Sequence, residues 1–262
     1  MNKKVKKILN VKNISIIRDN NYIIKNISFS INEYENWAII GKNGCGKSFL
    51  LKSISTMIYP SKGEVEIYGN NIVGTNLWDL RKKIAIVSDE LQKQYDEYAT
   101  VKNIILSGFF SSIGVWQKVN KIQNRRANEI LEQLNIQNLS HRIYKTLSSG
   151  EQKKTLIGRA LVFRPKLIIL DEPCNGLDVA SKIDFLNTLR KLVSNGINLI
   201  FVTHNVEEII PEINNVILMK KGKIHKIGDK KDILTENNLK HTLGIDLKLN
   251  YDNGFYWIQL YK

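Results

Sequence analysis

Long apolar runs are missing from this chain: LIIL and the apolar part of NLIFV are strand-sized, far short of the roughly 18 residues that a bilayer-spanning helix requires. A helical membrane-spanning protein is thereby excluded, and a soluble or peripheral one is expected. The opening MNKKVKKILN is basic but has neither the apolar stretch nor the small-residue cleavage site of a secretory signal. Cysteine is nearly absent as well. Cys45 and Cys174 are the only two, too few for a disulfide framework. They read as free thiols in a reducing compartment, which points to the cytoplasm. No internal repeat and no low-complexity linker is present. Acidic residues are in short supply: 25 Asp and Glu face 39 Lys and Arg, for a formal charge of +14. Such an excess invites nucleic acid, but the lysines are scattered among Asn and Ile. That reads as compositional bias and argues against a nucleic-acid partner.

What the chain has is alternation. Its 262 residues, 43% of them hydrophobic, suffice for a sizeable core. ILNVKNISII, YIIKNISFSI and ENWAII read as strands separated by the turn signals RDNN and NEYEN, and GEVEIYG and KKIAIVS extend the series. From about Thr100 to Leu139 the period changes, because TVKNIILSGFF and QNRRANEILEQLNI carry apolar residues at helical spacing. This predicts a helical insert. KLIILDEP, INLIFVTH and NNVILMKKGKIHKIG return to strand, with SKIDFLNTLRKLVSNG between them as a helix ended by Gly196. Buried strands alternating with helices predict an α/β core with a mainly parallel sheet. The tail LKLNYDNGFYWIQLYK predicts a hairpin turning at Asn253 and Gly254.

One short stretch carries chemistry. In GKNGCGKSFL, Gly41, Gly46, Lys47 and Ser48 fit G-x-x-x-x-G-K-[ST] directly after the apolar run WAII. Glycines let backbone N–H groups turn inward around an anion, so the loop is expected to hold phosphate. Lys47 would reach the β- and γ-phosphates and Ser48 would ligate Mg²⁺. The helix expected in KSFLLKSISTMI, with Phe49, Leu50, Ile54 and Ile58 on one side, adds its positive N-terminal dipole. A phosphate loop needs a carboxylate at the end of a neighbouring strand, and LIILDEP supplies Asp171 and, on the opposite face, Glu172. Asp171 is suited to the metal and Glu172 to the attacking water. TLSSGEQKKTLIGRAL offers a second helix start, where Ser148, Ser149 and Gly150 precede apolar Leu156, Ile157 and Leu161. Serine caps and glycine permits close approach, so this start suits either an ordinary capped helix or a second phosphate.

GKNGCGKS, LSSGEQ, LIILDEP, NGLD and VTHN resemble, in order and spacing, the motifs of the ABC-type ATPases, and the likeness covers nearly the whole chain. The resemblance implies a P-loop NTPase core, an N-terminal antiparallel β subdomain, and a helical subdomain at roughly 90–160 that carries the signature motif. It implies a single nucleotide-binding domain over residues 1–262, with a hairpin-like tail at roughly 244–262. ATP and Mg²⁺ are the implied cofactors. Gly41, Lys42, Asn43, Gly44, Cys45, Gly46, Lys47, Ser48 and Phe49 would contact ATP, and Ser48 and Asp171 the metal. Glu172 would be the general base and His204 the switch histidine at the γ-phosphate. Ser148, Ser149, Gly150, Glu151 and Gln152 would form the signature, which acts on the ATP held by the other subunit. Asp178 would be the aspartate that links the two sites. A homodimer, or a pair with a similar chain, is implied.

Two positions depart from the family pattern. The residue aligned with the usual adenine-stacking aromatic is Arg18, with Tyr22 nearby, and the usual glutamine after KIAIVS falls near Asp89, Gln92 and Gln94. ENWAIIGKNGCGKS, LWDLRKKIAIVS and VKNIILSGFFSSIGVW are similar to the ModF- and YlmA-like group of the family. Phe109, Phe110, Val115 and Trp116 would either dock a membrane subunit or fill the helical insert. The expected function is ATP binding and hydrolysis that drives a separate permease from the inner face of the cell membrane. The alternative is a single-domain ATPase that acts on a protein or nucleic-acid partner without transport.

Overall fold

The computed structural model describes residues 6–88, 90, 95 and 98–260. Two sheets organise the chain. Strands β1 (Lys7–Arg18), β2 (Asn21–Asn32), β4 (Lys62–Ile67) and β5 (Asn70–Asn71) form an antiparallel sheet of order β2-β1-β4-β5. Strand β3 (Trp37–Ile40) leaves it for a second sheet with β6 (Ile84–Ser88), β7 (Leu167–Asp171), β8 (Asn198–Thr203), β9 (Asn215–Lys220) and β10 (Lys223–Asp229). Its order is β10-β9-β3-β8-β7-β6, parallel throughout except for β10 at the edge.

The side-chain period of two divides the core. Ala38, Ile168, Leu170, Leu199, Phe201, Val216 and Leu218 face one apolar cluster, and Trp37, Ile39, Leu167, Ile169, Ile200, Val202 and Ile217 face the other. Both faces are covered, as a parallel sheet of continuous apolar strands requires. Helix α1 (Lys47–Ile54) lies with the antiparallel sheet on the second face. Helices α3 (Val101–Ser107), α4 (Lys121–Gln133), α5 (Ser149–Ala160) and α6 (Val179–Ser194) cover the first, and the short α2 (Leu77–Arg81) precedes β6. Among the described residues no helix is long and apolar enough to cross a membrane.

The sequence patterns translate into this fold with one shortening. Helix α1 stops at Ile54 instead of reaching Ile58, because Thr56 turns to φ 64 and the N–H groups of Met57 and Ile58 both fold back onto the Lys52 carbonyl. Ile58 still packs on the same cluster from the following turn, which is why the helical period continues past the helix. The tail forms the expected hairpin, Leu247–Asp252 with Phe255–Leu260, turning at Asn253 (φ 48) and Gly254 (φ 89).

Candidate active site

Strands β3, β8 and β7 are neighbours, and each ends in a residue of chemical interest. Their registers align those ends: Ile40 lies beside Thr203, and Val202 beside Asp171. Functional groups in open α/β sheets gather outside the carboxyl ends of the strands, and they do so here.

After β3 the loop bends with Gly44 at φ 77 and Gly46 at φ 102. Gly46 is required twice over, since its φ is left-handed and an added Cβ would sit 2.7 Å from the Ile24 side chain of β2. The β1–β2 hairpin is fastened there. Lys25 N–H donates to the Gly222 carbonyl at 2.8 Å, and Gly222 N–H donates to Cys45 at 3.0 Å. Lys47, only 5% exposed, donates from Nζ to the Gly41 carbonyl at 2.7 Å and pairs with Glu172 Oε1 at 3.2 Å. Glu172 follows β7 at φ 49, held by its N–H on the Val202 carbonyl. Its other oxygen, Oε2, meets His204 Nδ1 at 2.8 Å. Residues from three strand ends thus form one continuous polar chain, Lys47 to Glu172 to His204.

Beside that chain lies a cavity of about 340 Å³, lined by Ser48, Lys52, Ser88, Glu90, Asp171, Glu172 and Asn175 among others. Ser48 and Asp171, 123 residues apart in sequence, therefore share one space. Among the described residues no group of three or more His, Cys, Asp and Glu could hold a metal, so a cation here depends on a hydroxyl, a carboxylate and the ligand's own oxygens. Asp89, Gln92 and Gln94 lie outside the described residues. Sequence reasoning overlooked Glu90, which lines the cavity and pairs with Lys52 at 2.9 Å. The available signal was a second acid just past the strand end, next to the Asp89 that the sequence reading did name.

Ser148, Ser149, Gly150, Glu151 and Gln152 do not line this cavity. Ser148 caps α5 through a reciprocal box, its Oγ accepting from Glu151 N–H at 3.3 Å while its own N–H donates to Glu151 Oε2 at 2.8 Å. Gln152 donates to the Tyr144 and Leu147 carbonyls and ties the preceding turn to the helix. Asp178 caps α6, accepting from Ser181 N–H at 2.9 Å, and this bond holds its carboxyl below the usual carboxylate range. Gly150 packs on that same Ser181, 3.2 Å from its Cβ if a methyl were added, so the two helix starts touch. Arg18 is exposed at the end of β1; Tyr22 is 45% exposed, with Lys25 Nζ 4.8 Å from its ring centroid. Of the apolar candidates on the helical side, Phe109 packs edge-on against Phe163 at 5.5 Å and Val115 against the core, while Trp116 is 82% exposed.

Residues 24–175 match the family described as ABC transporter. The uncharacterized ABC transporter ATP-binding protein YlmA of Bacillus subtilis (strain 168) is 36% identical over 235 residues, 88% of this chain and 89% of YlmA, which bears out the likeness to that group. Among solved structures, an inward-facing putative metal-chelate type ABC transporter superposes with a TM-score of 0.81 at 27% identity, over 98% of each chain. The ATP-binding cassette MJ0796, in a dimeric post-hydrolysis state bound to ADP and Pi, gives 0.72 at 25% identity over 84% of this chain and 98% of that one. With its phosphate loop, its acid-bearing strand and this extent of likeness, the chain belongs to the ABC transporter family, as one of its ATP-binding proteins.

Proposed function

We propose that the chain hydrolyses ATP to ADP and phosphate, that two chains close head to tail around two ATP molecules, and that this cycle drives a separate membrane permease. The observation that carries the reading is the convergence of Lys47, Glu172 and His204 beside the cavity shared by Ser48 and Asp171. Gly41, Lys42, Asn43, Gly44, Cys45 and Gly46 form the phosphate cradle. Lys47 supplies its charge, Ser48 and Phe49 follow it in the first turn of the helix whose dipole faces the phosphates, and Arg18, with Tyr22 nearby, would stack on the base.

The donor set fits magnesium. A hydroxyl and a carboxylate are hard oxygen ligands, and magnesium takes its remaining positions from phosphates and water. Ser48 and Asp171 would hold it. When bound, it neutralises charge on the phosphates. Glu172 accepts the proton of the attacking water as the water oxygen bonds the γ-phosphorus and the bond to the β–γ bridging oxygen breaks, its electron pair leaving with ADP. Glu172 must first release Lys47, and the incoming phosphates compete for that ammonium. His204 steadies the carboxylate and reaches the γ-phosphate.

Since the start of α5 does not line the chain's own cavity, the ATP served by Ser148, Ser149, Gly150, Glu151 and Gln152 belongs to a second copy or a similar chain. Asp178, whose helix touches Gly150, links the two sites. A groove of about 530 Å³ between β6 and the helices, lined by Arg81, Ile86, Ile113, Arg159 and Phe163, offers the permease a seat at the inner face of the cell membrane. Isothermal titration and phosphate release with Mg-ATP test the reading. Lys47→Ala is expected to weaken ATP binding about 10- to 100-fold, the loss of ~1.5–3 kcal/mol from a charged hydrogen bond, and to stop phosphate release. Unchanged affinity would overturn the assignment of the loop.

A further inference from the structure

Four residues past Glu172's partner His204 is a carboxylate that the proposed chemistry does not use. Glu208 is 6% exposed, at the end of the 3-10 turn Val206–Glu208. Both its oxygens point back at the residues flanking His204. Thr203, fully buried at the end of β8, donates from Oγ1 to Glu208 Oε2 at 2.7 Å. The same hydroxyl oxygen accepts Asn205 N–H at 2.9 Å. Asn205 Nδ2 reaches Glu208 Oε1 at 3.4 Å, and Asn205 Oδ1 accepts Glu207 N–H at 3.1 Å. His204 itself is different. It is 43% exposed at its side chain, and its ring rests on Glu172 Oε2. Its direction is therefore set by the backbone between Thr203 and Asn205, and that backbone is clamped by Glu208.

The arrangement is costly enough to require a reason. Burial pushes the Glu208 carboxyl upward, as does Glu172, while Thr203, Lys182 and His204 pull it down. A buried acid is ordinarily replaced by an apolar residue unless its bonds hold something in place. Val206, Ile209 and Ile210 around it are fully buried, so the turn has apolar anchors besides the Glu208 carboxylate.

We propose that Glu208 is a positioning residue for His204, holding the residues on either side so that the imidazole meets Glu172 and the γ-phosphate in the productive direction. This rests on the role given to His204 above, and a double-mutant cycle on the full chain separates the two. Steady-state kcat and KM for Mg-ATP, with single-turnover rates for slow variants, are measured for His204→Ala, Glu208→Ala, Glu208→Gln and the His204→Ala/Glu208→Ala pair. Glu208→Ala is expected to lower kcat about 10- to 100-fold, as misplacement of a reacting group does, with KM within about threefold. Added to His204→Ala it should cost nothing more. Glu208→Gln, which still accepts the Thr203 hydrogen bond, should recover most of the rate. If Glu208→Ala fails to fold by thermal melting, Thr203→Val removes the same bond from the other side and carries the same expectation. A full rate in His204→Ala would overturn the role of His204 itself. Loss in His204→Ala with none in Glu208→Ala, or an equal further loss in the pair, would overturn the positioning role alone.

Discussion

Glu172 holds two cation-capable groups at once, Lys47 through one oxygen at 3.2 Å and His204 through the other at 2.8 Å, from a backbone at φ 49. A left-handed non-glycine residue costs energy, and at a strand end it aims the side chain away from the strand's own alternation. The local motifs that bring Lys47 and Glu172 to the site were legible because each is contiguous: a glycine loop after an apolar run, an acid pair where such a run ends. Glu90 was not, since its partner Lys52 comes from a distant helix, and neither was Glu208, whose bonds to Thr203 and Asn205 exist only once the turn after β8 has folded. At this scale the buried Gly46 leaves no room for a side chain. Gly46→Ala meets both the left-handed φ and the Ile24 side chain. It is expected to cost about 1–3 kcal/mol of stability and to weaken ATP binding. Thermal melting and titration check this, and a wild-type profile in both would contradict it.

Among elements, the start of α5 carries a cap that, in the proposed function, also meets the partner's ATP. Ser148 and Glu151 close a reciprocal box, so the serine stabilises the helix whether or not nucleotide is near. The capping serine could be read from LSSGEQ, as could the hairpin turn at Asn253 and Gly254. The early end of α1 could not, because Ile58 keeps the apolar period while packing from a turn. Ser148→Ala is expected to cost about 1 kcal/mol, a fall in melting temperature of about 2–4 °C, together with slowed phosphate release. A melting shift with a full rate would leave the cap and remove Ser148 from the chemistry.

For the whole molecule, the parallel sheet was legible because its strands read as continuous apolar runs, and both faces are indeed covered. The split between docking and packing was not legible in the apolar stretch from Phe109 to Trp116, and the fold divides it: Phe109 and Val115 face inward and Trp116 outward. That exposed ring and the groove lined by Ile113 and Phe163 predict a membrane partner. Tagged chain solubilised from its own membranes in mild detergent should bring down a multispanning protein at near-equal stoichiometry, and recovery only with cytosolic partners would favour the non-transport alternative. Closure as an ATP-filled pair is the claim on which transport, signature and base all depend. The most direct measurement is the molar mass of Glu172→Gln by light scattering. With ATP and magnesium the account predicts twice the mass of one chain, falling to a single chain when nucleotide is removed. A single-chain mass with ATP demonstrably bound would contradict it.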